Sequence, residues 1–233
     1  METIVITGGA GGIGAALVTL VQVAGFRTVS IDLIPNPEAD ESITLDVSNE
    51  MALKKAFDDI GPLAGLACIA GVNARKARVE DLTWADWSRV MAVNVAGTML
   101  AMKHAGSHLS DGAGIVLTGS VSAHIGTDGY VAYHTSKGAV LGLMRATSGE
   151  FAPRGIRVNA VSPGWVDTGF TDQALAALPN AALIRAAANA AHLTGRIARP
   201  DEIAQAMLFL LSPEASFITG TELIVDGGFL RKK

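Results

Sequence analysis

Tyr133 and Lys137 stand four residues apart in the stretch Tyr133-His134-Thr135-Ser136-Lys137. On a helix that spacing puts both side chains on one face, one above the other. A cation beside a phenol favours the phenolate and draws the tyrosine pKa down from its ordinary ~10. A tyrosine tuned in this way can take or give a proton near neutral pH. The same spacing also suits a solvated helix face, so the pair carries chemistry only if the chain supplies something for it to act with.

A second stretch offers that. Gly8-Gly9-Ala10-Gly11-Gly12-Ile13-Gly14 follows the β-rich run Thr3 to Thr7 and precedes an apolar run, Ala15 to Ala24, that reads as a helix. Strand, glycine turn and helix are the context in which such glycines bind a dinucleotide. Gly8 would allow the tight turn, Gly12 the close approach of a phosphate, and Gly14 close packing of helix on strand. The helix N-terminus would offer N–H groups and partial positive charge to a pyrophosphate. A plain flexible loop is the competing reading. The next strand, Arg27 to Asp32, closes on an acid ~20 residues past the glycines, where a carboxylate can accept from adenine-ribose hydroxyls. Such an acid repels a 2′-phosphate. Residues 9 to 11 and Leu33 bring no cation. NAD is therefore expected in preference to NADP, although a lone Asp can also be a cap or turn residue.

Strands and helices alternate along the whole chain. Short strands are expected at Ser42 to Leu45, Leu63 to Ala70, Ile115 to Thr118, Ile156 to Val161 and Leu223 to Val225. Between them, Glu50 to Ile60, Leu82 to Leu109 with a break near Asn94, Ala132 to Phe151 and Pro200 to Leu211 read as helices. Gly112 and Gly114 bracket an expected turn. Residues 167 to 194 are Ala-rich and loosely helical. Alternation of this kind predicts an α/β fold: a doubly wound, Rossmann-type parallel sheet with helices on both faces and ligands at the carboxyl ends of the strands. No linker or repeat divides the chain, so residues 1–233 are expected to form a single domain, with a substrate-binding segment at about 165–197.

Composition narrows the partners. The chain has 233 residues, 49% of them apolar, enough for one large core. No apolar run approaches the ~18 residues of a membrane span. The net charge of −4, without a long basic run, argues against nucleic acid and anionic membranes. No secretory signal is legible at the start. The single cysteine, Cys68, cannot close an internal disulfide, so a cytoplasmic location is expected. No metal site is expected.

Taken in order, the chain resembles the short-chain dehydrogenase/reductase family. The resemblance rests on Thr7-Gly8 with Gly12-Ile13-Gly14, Asp32, Asp46-Val47, Ala70-Gly71, Val93-Asn94-Val95, Ser120, Tyr133 with Lys137, Asn159, Pro163-Gly164 with Thr168, and Val225-Asp226-Gly227-Gly228. It covers nearly the whole chain. It implies that Tyr133 is the general acid/base, that Lys137 lowers its pKa and holds the nicotinamide ribose, and that Ser120 hydrogen-bonds the substrate oxygen. Asn94 is implied as the fourth member, fixing a water on a proton path to Lys137 while also satisfying a helix break. Ser122 lies nearby, but Ser120 has the family spacing to Tyr133.

For the cofactor, the resemblance assigns Gly8, Gly12, Ile13 and Gly14 to the pyrophosphate, Asp32 and Leu33 to the ribose, and Asp46 and Val47 to the adenine. Ala70 and Gly71 would pass beneath the adenosine side, and Pro163, Gly164, Val166 and Thr168 would line the nicotinamide. Cys68-Ile69 replaces the family's usual paired asparagines, which puts a structural hydrogen bond in question. Cys68 itself reads as buried and inert. By position, Asn73, Ser122, His124, Tyr130, Trp165 and Phe170 are expected around the substrate with Ser120 and Tyr133. Arg75 would add charge there; His192 reads as an ordinary surface side chain, with a polar group of the substrate wall as the alternative.

The expected activity is NAD-dependent hydride transfer with a secondary alcohol or ketone. Asn73-Ala74-Arg75-Lys76 is similar to the corresponding stretch of sugar-acid dehydrogenases, which leans to a polyol, sugar acid or cyclic diol. An NADPH-linked 3-oxoacyl or ketone reductase is the alternative. A non-catalytic dinucleotide sensor or scaffold is the alternative of another class. A homo-oligomer, dimer or homotetramer, is implied, with the helices at 97–109 and 132–151 packing against a second subunit and the end of the chain from Phe229 adding a contact.

Overall fold

A computed structural model describes residues 1–176 and 180–231 of the chain. Residues 177–179, inside the expected substrate-binding segment, and 232–233, inside the expected terminal contact, lie outside the described residues. Seven strands form one sheet: β1 (Thr3–Thr7), β2 (Arg27–Asp32), β3 (Glu41–Thr44), β4 (Leu63–Cys68), β5 (Leu109–Thr118), β6 (Arg157–Pro163) and β7 (Glu222–Val225). Every pairing is parallel, and the order is β3-β2-β1-β4-β5-β6-β7. The order reverses between β1 and β4, and open α/β sheets place their ligand crevice at such a switch point.

Both faces of the sheet are covered, which is why its strands read as continuous apolar runs rather than alternating ones. Side chains alternate across each strand. Val5, Leu66, Ile115 and Val158 point to one core, with Leu53 and Phe57 of α2 (Glu50–Ile60), Leu100 and Met102 of α4 (Thr98–Ala105), and Val140 and Met144 of α5 (Val131–Phe151). Ile4, Ile6, Ala67, Val116 and Val161 point to the other, against Leu17 and Val18 of α1 (Gly12–Val23) and Ile203 and Met207 of α8 (Pro200–Leu211). No helix among the described residues is long and apolar enough to cross a membrane, and no cluster of His, Cys, Asp or Glu there could hold a metal.

Two sequence expectations change. Gly112 and Gly114 do not bracket a turn before a short strand. β5 already begins at Leu109, and pairing shifts register between Leu63↔Leu109 and Gly65↔Gly114, so Gly112 lies in a bulge and Gly114 resumes the regular pairing. Gly112, at φ +81°, takes the left-handed conformation that such a bulge uses. The long helix from 82 is also divided. After α3 (Trp84–Met91), residues Ala92–Gly97 form π-helical turns and α4 follows, so the break expected near Asn94 is a local widening of the helix.

Candidate active site

The carboxyl ends of β5 and β6 and the start of α5 carry the reactive side chains. Ser120 leaves β5 and is buried, its Oγ accepting from Ser122 N at 3.1 Å. The Tyr133 phenol stands close enough to the same hydroxyl for it to favour the phenolate. One turn further along α5, Lys137 is buried; its Nζ lies 5.6 Å from the Tyr133 ring centroid and donates to Thr118 O at 2.8 Å. Ser120, Tyr133 and Lys137 are thus brought together.

The electrostatics differ from the sequence expectation. Tyr133 keeps some accessible surface, yet it is so crowded that desolvation pushes its phenol up to about 12, and the Ser120 hydroxyl only partly opposes this. Burial pushes Lys137 down to about 8. The lysine is expected to depress the tyrosine, but burial disfavours both charged forms and outweighs their mutual support.

Asn94 sits in the π-helical turns, 1% exposed. Its Oδ1 accepts from Val72 N at 2.8 Å, and its Nδ2 donates to Val72 O at 3.1 Å and to Ser136 Oγ at 3.0 Å. The side chain therefore clips the loop after β4 to α5 at the residue beside Lys137.

The glycine turn fits a dinucleotide. α1 starts at the N-cap Gly11, with no side-chain cap and no acid in its first turn, which leaves its first amides for an anion. A Cβ on Gly14 would lie 2.0 Å from Gly8 O, so only glycine lets helix and turn meet here. Asp32 at the end of β2 accepts from Ala10 N at 3.0 Å and Leu33 N at 2.7 Å. It steadies the turn and still presents a carboxylate. Leu33 and Ile34 beside it are exposed. Asn36, which sequence reasoning missed, folds this segment back by donating to Gly9 O at 2.7 Å.

The other expected cofactor positions lie at the start of α1 or on the segments that follow the strands. Asp46 bonds Ser48, and Val47 buries its side chain against Gly97. Ile13 is half-buried at the start of α1. Ala70 and Ile69 both donate to Thr7 O at 3.0 Å, so main-chain bonds tie β4 to β1 where the family asparagines are missing. Cys68 is buried and its thiol is pushed up to about 12, an inert state. Gly71 lies against Asn94 Oδ1. Pro163 ends β6 and Gly164 follows it, Val166 is buried, and the Thr168 methyl lies 2.7 Å from where a Cβ on Gly12 would be.

Of the expected substrate positions, Phe170 and Asn73 reach the site. The Phe170 ring is 6.1 Å from the Tyr133 ring, and Asn73 Nδ2 donates to Phe170 O at 3.1 Å, bridging the cleft. Tyr130 pairs with Ala77 alongside. Others point elsewhere. Exposed His124 bonds Glu222 of β7 at 2.7 Å, and Arg75 pairs with Asp86 at 3.1 Å. Trp165 is half-buried. His192, expected on the surface, is 2% exposed. Its burial depends on glycines distant in sequence, Gly164 and Gly227, so no local pattern marks it.

A seven-stranded, doubly wound sheet with a serine, tyrosine and lysine beside a glycine turn at its switch point defines a dinucleotide-dependent oxidoreductase. A family model described as enoyl-(acyl carrier protein) reductase matches residues 8–230, and the chain belongs to the short-chain dehydrogenase/reductase family. It is 36% identical to 2-(S)-hydroxypropyl-CoM dehydrogenase 3 of Xanthobacter autotrophicus, over 97% of this chain and 96% of that protein. It is also 36% identical to cis-4-hydroxycyclohexanecarboxylate dehydrogenase of Sinomonas cyclohexanicum, over 97% and 95%. The solved aldohexose dehydrogenase of Thermoplasma acidophilum superposes with a TM-score of 0.93 at 32% identity, covering 100% of this chain and 95% of that one.

Proposed function

We propose that the protein is an NAD-dependent dehydrogenase of a polar secondary alcohol, a polyol, sugar acid or cyclic diol. The observation that carries this reading is the Tyr133 phenol set beside Ser120, with Lys137 buried one turn further along α5. Bound NAD would supply a hydride acceptor at its nicotinamide. Gly8, Gly12, Ile13 and Gly14 would hold its pyrophosphate, Asp32 and Leu33 its ribose, Asp46 and Val47 its adenine, and Pro163, Gly164, Val166 and Thr168 its nicotinamide end.

The chain's own residues then divide the work. Ser120 Oγ orients the substrate hydroxyl toward Tyr133. Tyr133 Oη takes the hydroxyl proton, and returns it in the reverse direction. Lys137, whose Nζ is fixed by Thr118 O, stabilises the phenolate through its charge. Asn94 holds the loop and α5 in place around them. Phe170 covers the Tyr133 ring and helps exclude water. Relatives named for a hydroxycarboxylate and an aldohexose support a polar, oxygen-rich substrate.

Preference for NAD is supported by the Asp32 carboxylate and the exposed apolar Leu33 and Ile34 next to it, where a 2′-phosphate would find repulsion and no cation. Fluorescence titration with NADH and NADPH tests this. NADH is expected to bind at least tenfold more tightly, and a preference for NADPH would contradict the reading. We also propose a cytoplasmic homo-oligomer; the apolar face formed by Met91, Val95, Met99 and Leu143 supports a second copy as its partner.

A further inference from the structure

We propose that His192 is a positioning residue that sets the Trp165–Thr168 segment against the glycine turn and so governs how tightly the dinucleotide is held. This rests on the dehydrogenase reading above. The helix α7 (Ala181–Ala191) has Ala188 as its buried residue and is seated by polar groups along a single stripe. Arg185, Asn189 and His192 at its C-cap recur at helical spacing and share a face. Arg185 donates to Asp167 at 2.7 Å and to Asp172, on α6 (Gly169–Ala176), at 2.6 Å. Asn189 Oδ1 accepts from Ile197 N at 2.9 Å, and His192 Nε2 from Trp165 N at 3.3 Å.

The two segments gripped in this way also pair with each other. Val166 bridges Ala198; Asp167 N donates to Ala198 O at 2.8 Å and Ala198 N to Trp165 O at 2.9 Å. The stripe therefore holds both sides of a small clamp, and the clamp leads into Thr168, which rests on Gly12.

His192 is the least replaceable member. Its Nδ1 lies 2.7 Å from Ala188 O and must carry the hydrogen, so Nε2 is free to accept from Trp165. The ring is wedged where a Cβ on Gly164 would come within 2.8 Å of Nε2, and one on Gly227 within 3.4 Å of Cδ2; it packs on Phe229 at 5.3 Å. Asp226, the acid on the adjoining turn, is engaged by Gly228 N and Leu230 N. Substitution of His192 by an apolar residue leaves the Trp165 N–H without its partner and frees the strand exit to shift.

The test compares NADH affinity by fluorescence titration in the wild type, His192→Leu, His192→Gln and Arg185→Ala. Leucine keeps bulk without an acceptor, whereas the glutamine carbonyl reaches toward the Trp165 N–H. The expected result is about tenfold weaker binding in His192→Leu, most of it recovered in His192→Gln. A several-fold loss is expected in Arg185→Ala, whose residue is a partly exposed ion-pair member and whose fold should persist. Unchanged affinity in both His192→Leu and Arg185→Ala would overturn the proposal. Equal losses in the leucine and glutamine variants would also overturn it, since the acceptor would then be irrelevant. Absence of NADH binding by the wild type would instead bring down the dehydrogenase reading on which it rests.

Discussion

A buried lysine and a crowded, partly accessible tyrosine beside it exchange stability with pH in a definite direction. Lys137 titrates at about 8 in the folded chain against 10.5 for an ordinary lysine. Between those values the unfolded chain binds the extra proton, so unfolding free energy rises with pH. Tyr133 opposes this only above pH 10, where the unfolded phenol ionises while the folded one, at about 12, does not. Lys137→Met removes the first effect. Urea unfolding is expected to show the stability of the wild type relative to Lys137→Met rising by on the order of 1–3 kcal/mol from neutral pH to just below pH 10. A flat difference would show that the ammonium is not desolvated. Cys68 gives a second check. A thiol raised to about 12 and buried is expected to ignore a thiol reagent in the native protein and to react fully once denatured. At this scale the Tyr133–Lys137 spacing was legible in the sequence, because four residues make one helical turn. The direction of their pKa shifts was not, because desolvation depends on everything folded around them.

Elements bring distant residues to the site through a few clips. Asn94 is the clearest. The π-helical turns place its buried amide between Val72 and Ser136; the bond to Ser136 is buried and the two to Val72 are partly so. Asn94→Ala would strand these groups, at about 1–3 kcal/mol each where water cannot replace the partner. Denaturant unfolding is expected to show a loss of about 2–4 kcal/mol, and a loss below 0.5 kcal/mol would mean that water substitutes freely. The helix break was legible near Asn94, since Val93-Asn94-Val95 interrupts an otherwise regular apolar period. The start of β5 was not. Gly112 and Gly114 read locally as a turn, and only pairing with β4 makes Leu109–Thr118 a strand with a bulge. His192 was misread for a similar reason. Its polar type suggests the surface, while the glycines that admit it to the interior lie far away in the chain.

Across the whole molecule, the alternation of strands and helices foretold the sheet and its covered faces because parallel strands need crossovers and apolar sides. The fastening of layer to layer was less visible. Arg157, buried at the start of β6, donates to the carbonyls of Leu210 and Leu211 at the end of α8 and of Ser212 and Ala215 just beyond it. It satisfies helix-terminal acceptors and sets a cation at the negative end of the dipole. Arg157→Met would leave the Leu210 and Leu211 carbonyls without this donor, while Ser212 O and Ala215 O keep their bonds from Ala215 N and Ile218 N; a drop of about 3 kcal/mol in unfolding free energy is expected by urea denaturation. A neutral effect would mean the helix end is held by packing alone. The central claim concerns what the assembled molecule does. Polyols, sugar acids and cyclic diols supplied with NAD, with reduced nicotinamide followed by absorbance, test it in the wild type and in Tyr133→Phe. The wild type is expected to reduce NAD with at least one of them, while Tyr133→Phe binds NADH normally and turns over at least a thousandfold more slowly. An undiminished rate in Tyr133→Phe would contradict the account.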